Sequence, residues 1–105
     1  MDILRMEEVP LQPTPLGGKA RIIIEKPEVK LVNLVLEAGD KVLAHDAPVD
    51  VIFIVHEGRG SMLVEKENVL IEAGQVVMVP AGLSRQINAD KDEGIELLVV
   101  RSPNE

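Results

Sequence analysis

From Lys19 onward the chain is a series of short β-branched runs, each stopped within a few residues by glycine, proline, asparagine or a charged turn. Arg21 to Glu25 ends at Lys26-Pro27-Glu28, Leu31 to Glu37 at Ala38-Gly39-Asp40, and Val49 to His56 at Glu57-Gly58-Arg59-Gly60. Ser61 to Glu65, Val69 to Glu72, Val76 to Val79, Ser84 to Asn88 and Ile95 to Arg101 continue the series. This spacing predicts about nine strands, no helix beyond the first turn of the chain, and a sandwich or barrel. The fold class expected is all-β.

The core must be aliphatic, because 46% of the residues are hydrophobic while there is one phenylalanine and neither tyrosine nor tryptophan. Any bound molecule must then be held without much aromatic stacking. At 105 residues the chain is expected to form one domain burying about two-thirds of its unfolded surface. Runs such as Leu31 to Leu36 and Ile52 to Val55 are apolar without clean alternation, which predicts burial on both faces. In a small barrel one face lines the lumen, so the other needs cover from a second sheet, the N-terminal segment or a partner subunit. A homodimer is expected on that ground.

Residues 1–18 read differently from residues 19–105. Asp2 is placed to cap one helical turn through Ile3, Leu4, Arg5 and Met6, after which Pro10, Pro13, Pro15, Gly17 and Gly18 oppose regular structure. An extended arm is expected. Its apolar residues, among them Val9, Leu11 and Leu16, predict that it lies against the barrel or a second subunit.

Charge and composition remove several function classes. The net charge is −7, and the 11 basic residues form no run, whereas nucleic acid and anionic membranes need a clustered positive patch. Without cysteine there is no disulfide, thiolate nucleophile or thiolate metal site. No secretory leader or membrane span is legible, so a cytoplasmic location is expected. No Gly-x-Ser-x-Gly elbow accompanies Ser61 or Ser84. Glu57-Gly58-Arg59-Gly60 has no following helix, which predicts a hairpin and not a phosphate loop.

Two stretches share one order of residues. In Gly39 to Gly58, a turn glycine is followed after five residues by His45, then an apolar strand and a closing glycine. In Gly74 to Asn88, a glycine precedes Pro80, Ala81 and Gly82 and a second short strand. These stretches resemble the two motifs of the cupin superfamily, and the short intermotif segment Arg59 to Ala73 resembles its smallest members. The resemblance, over about Leu31 to Val100, implies a double-stranded β-helix, a small jelly-roll barrel.

In cupins the lumen usually holds iron, manganese, nickel or zinc on three histidines and a glutamate. Carried over, those positions are His45, Ala47, Val51 and Arg85, so His45 is the only retained ligand. No metal cofactor is expected. Alternation turns Asp46, Asp50 and His56 away from the lumen. His45, Ala47, Val51, Phe53, Arg85 and Ile87 should face it together. Small apolar residues in place of two ligands leave a wider, drier cavity with one fixed cation and one imidazole, suited to a small anion such as a carboxylate with an apolar tail. The plainer reading is a non-catalytic barrel in which Arg85 pairs with Glu37, Asp46 or Asp50. A third is an isomerase, lyase or dioxygenase-like enzyme, either metal-free through His45 and Arg85 or dependent on metal held by other ligands. Asn33, inside an apolar strand, calls for a structural hydrogen bond.

Overall fold

The structure, a computed structural model, describes residues 1–102. A single 3₁₀ turn, Met6–Glu8, precedes nine strands: β1 (Gln12–Pro13), β2 (Lys19–Glu25), β3 (Lys30–Leu36), β4 (Lys41–His45), β5 (Val51–Val64), β6 (Glu67–Glu72), β7 (Val76–Val79), β8 (Arg85–Ala89) and β9 (Ile95–Arg101). Neighbouring strands follow the order β1-β2-β3-β9-β5-β8-β4, and β6 and β7 also pair with β5. All pairings are antiparallel. The sheet curls into a jelly roll of the double-stranded β-helix type, as the cupin resemblance implies, and within the sandwich-or-barrel class that the punctuation of the sequence predicts.

The long strand β5 joins the two walls. Val51 to Gly58 pairs with β9, and within it Val51 to Ile54 also pairs with β7. Arg59 to Val64 pairs with β6 and, from Gly60, with β8. The hairpin expected at Glu57 to Gly60 is therefore absent, because the two glycines serve a strand that changes walls without turning back. Gly58 sits at φ +81°, and a Cβ there would fall 1.9 Å from the Gly94 carbonyl oxygen. A Cβ on Gly60 would fall 2.1 Å from the Asn88 carbonyl oxygen. Glycine inside a strand marks a bulge or a close backbone approach, and the β5–β9 register shifts between Val55 and Glu57.

Two further expectations are corrected. The 3₁₀ turn begins after Arg5, which makes no side-chain cap, so Asp2 caps nothing. Burial of β5 alternates: Val51, Phe53 and Val55 are buried, while Ile52 on the outer face is 38% exposed. An inner aliphatic face joins Leu34, Leu36, Met62, Ile87, Ile95 and Leu97 in one core.

Asn33 is fully buried on the outer side of β3 and finds its partners there. Its Oδ1 accepts from Arg21 Nη1 at 2.9 Å, and its Nδ2 donates to the Leu97 carbonyl at 3.2 Å and Glu96 Oε1 at 3.3 Å. Arg21 Nε donates to the Val9 carbonyl at 3.0 Å, which ties the N-terminal segment to the sheet. That segment then pairs along the edge of β2 through β1. Farther on, the Leu16 carbonyl accepts from the Leu43 amide at 2.9 Å. No helix among the described residues is long and apolar enough to cross a membrane.

Candidate functional site

Strand register sets the residues of the lumen in rows. Lys30, Arg101 and Val51 stand opposite one another across β3, β9 and β5, and Val32, Val99 and Phe53 form the next row inward. On the facing wall His45 stands opposite Arg85, and Val42 opposite Ile87. All ten line one cavity of about 420 Å³, whose side is completed by Thr14, Pro15 and Leu16. Lys30, His45 and Arg101 are half-buried and deeper residues such as Val42 and Phe53 are buried, so the polar row marks the open end and the aliphatic rows the floor.

Five of the residues expected in the lumen, His45, Val51, Phe53, Arg85 and Ile87, are on this cavity wall. Phe53 and Ile87 border the space and do not fill it. Ala47 is buried but lies off the wall, where its carbonyl accepts from the Gly82 amide at 2.8 Å. Asp50 is also a loop clasp, its Oδ1 accepting from the Ala81 amide at 2.9 Å. These two bonds hold the Pro80-Ala81-Gly82 turn against the segment before β5, which fixes where β8 begins and so places Arg85.

Arg85 is the first residue of β8 and only 3% exposed. Its Nε and Nη1 have no hydrogen-bond partner among the described residues. The guanidinium carbon lies 5.7 Å from the centroid of the Phe53 ring, close enough for a cation–π contact. Burial foremost, and Arg101 second, lower the pKa of Arg85, while Asp46 acts in the opposite sense. The guanidinium nonetheless keeps its charge at neutral pH. No ion pair with Glu37, Asp46 or Asp50 forms among the described residues.

His45 is oriented by the backbone. Its Nδ1 lies 3.1 Å from the Leu43 carbonyl, an acceptor, so Nδ1 carries the proton and donates, and Nε2 is the nitrogen free for other work. His56, like Asp46, is exposed.

Arg101 and Lys30 are missing from the sequence-based site. The signal for Arg101 was available: Ile95, Leu97, Val99 and Arg101 share one parity along β9, and the first two are core residues. Lys30 needed the β3–β9 register. Its Nζ is 3.5 Å from Glu25 Oε2.

Comparison with known proteins now settles the lineage. A family model described as a cupin domain matches residues 32–101. The chain belongs to the cupin family. A comparison with curated proteins returned no significant match. Among solved structures, this cupin is similar to a predicted oxalate decarboxylase from Thermotoga maritima, with 19% identity, a TM-score of 0.85, and coverage of 95% of this chain and 97% of that one. An RmlC-like cupin from Shewanella frigidimarina is 18% identical, with a TM-score of 0.87 over 100% of this chain and 93% of its own. The polyketide cyclase RemF from Streptomyces resistomycificus is 14% identical, with a TM-score of 0.85 over 96% and 78%. At such identities the likeness establishes the barrel and leaves its chemistry to the site.

The metal site usual in cupins does not fit this one. Ala47 and Val51 have no donor atoms, Arg85 brings a fixed positive charge, and only His45 offers a lone pair. Among the described residues no group of three or more His, Cys, Asp or Glu is placed to hold a metal ion.

Proposed function

We propose that this cupin is a metal-independent binding protein whose lumen takes a small anion with an apolar body. The observation that carries the reading is Arg85: a buried cation with two donors unpartnered among the described residues, on the wall of a cavity whose floor is apolar. A buried charge without a partner is costly, and an anionic ligand relieves that cost. Guanidinium forks match carboxylates and phosphates in geometry, and His45 adds a second polar group at the same end. The cavity volume, about 420 Å³, falls within the range of about 300–1,000 Å³ found for small-molecule sites.

Isothermal titration calorimetry with hexanoate tests this reading. The parent protein should bind hexanoate, and Arg85→Met, shown to be folded by its unfolding transition, should lose at least about tenfold in affinity. Equal binding by both proteins, or by neither, would defeat the proposal.

A metal-free enzyme is the second reading, and one observation favours it. The Leu43 carbonyl fixes the His45 ring, as a general acid or base requires, beside a cation able to polarise a carboxylate or carbonyl. Its distinguishing readout is turnover abolished by His45→Gln while binding persists.

The outer face of the barrel supports a homodimer. Ile52, Val76 and Met78 are 38%, 63% and 53% exposed and adjoin across β5 and β7, giving an apolar surface of the kind that a second copy covers. Light scattering should report a dimer for the parent protein and a monomer for Met78→Glu. A monomeric parent protein removes this assignment.

A further inference from the structure

Arg85 is not the only cation at the open end. Arg101 reaches the same cavity from the opposite wall, placed there by its register with Val51 and Lys30. The third cation, Lys30, is answered by Glu25 at 3.5 Å. Neither arginine has a carboxylate within ion-pair distance among the described residues. Asp46 is exposed and acts on Arg85 only through space. In a chain of net charge −7, this end of the lumen therefore holds two arginines that, among the described residues, have no carboxylate in ion-pair contact. The two arginines also oppose each other, since Arg101 is one of the causes that lower the Arg85 pKa. A monoanion answers one of them and leaves the other uncompensated. Apart from Thr14, whose hydroxyl donates to the Gly17 carbonyl, the described residues that line the lumen below the arginines are apolar, and none carries a cation to receive a second charge placed at the far end of a ligand.

Resting on the reading that Arg85 anchors an anion, we propose that Arg85 and Arg101 form a two-arginine clamp for a compact dianionic head, a phosphomonoester or a geminal dicarboxylate, whose short apolar chain occupies the floor. Each guanidinium presents a planar fork to one face of the head. Lys30, held by Glu25, stands outside the clamp.

Calorimetry with hexanoate, butylmalonate and n-butyl phosphate, at about pH 7.5 where a phosphomonoester is largely doubly charged, separates the possibilities. At least one dianion should bind about tenfold or more tightly than hexanoate, and whichever does so names the head group. Arg101→Gln should weaken the dianions by more than it weakens hexanoate and so remove most of the dianion preference. Arg101→Lys, which keeps the charge, should retain part of the preference. Hexanoate binding as tightly as both dianions, or a dianion preference that survives Arg101→Gln, would overturn the clamp and leave the anion site at Arg85 standing. Binding of none of the three probes would overturn both.

Discussion

At the closed end of the barrel Leu36, Met62, Ile95 and Leu97 meet with almost no exposed surface, whereas farther along β3 and β9 stand Lys30 and Arg101 at the open end. The inner face of β9 shows the change within one strand. Ile95 and Leu97 are core, Val99 borders the lumen, and Arg101 closes the series as a cation. Alternation places all four on one face, and only side-chain chemistry distinguishes the scaffold from the proposed site. The closed end supplies stability through apolar burial. The open end holds the buried charge of Arg85, and on the proposed reading that charge detracts from stability, as binding sites commonly do.

That contrast is open to attack from either side. The largest effect is expected at the closed end, where Leu97 is fully buried. Leu97→Ala should cost about 2–5 kcal/mol in chemical denaturation, the range for a large-to-small change in a core that cannot collapse, while any anion affinity of the folded fraction should change little. A large loss of affinity in this variant would mean that the two ends are not independent. Next comes the strand that joins the walls. Gly58→Ala places a Cβ against the Gly94 carbonyl at a positive φ, and should cost on the order of 2–4 kcal/mol. A loss below about 0.5 kcal/mol, the level of an ordinary surface change, would show that the crossing of β5 tolerates a side chain.

Much of the barrel was legible in the sequence because β-branched runs and turn residues act locally. Asn33 was also legible, since a lone amide in an apolar strand must find partners wherever it lies. What escaped depended on register or on a glycine with two meanings. Gly58 and Gly60 look like a turn in any single sequence, yet here they permit close backbone approach in a continuous strand. β4 went unseen because Lys41 to His45 alternates weakly and shifts register against β8 between Val42 and His45. Lys30 escaped because its lumen position follows from the β3–β9 register, whereas Arg101 was within reach of the sequence through its parity with Ile95, Leu97 and Val99. Ala47 was expected on the wall from the motif and from strand alternation, and an irregular segment held by the Gly82 amide carries it elsewhere.

The smallest expected effect tests the central claim, that Arg85 serves an anion and not the fold. Unfolding free energies of the parent protein and Arg85→Met should be compared with and without hexanoate at about 100 times its Kd. Without the anion, Arg85→Met should be the more stable by about 1–3 kcal/mol, because a methionine removes a buried charge and its unpaired donors. With it, the parent protein should gain about 2.7 kcal/mol by mass action and the variant much less. An Arg85→Met protein that is less stable than the parent, with hexanoate shifting neither, would show that Arg85 is a structural residue and contradict the account.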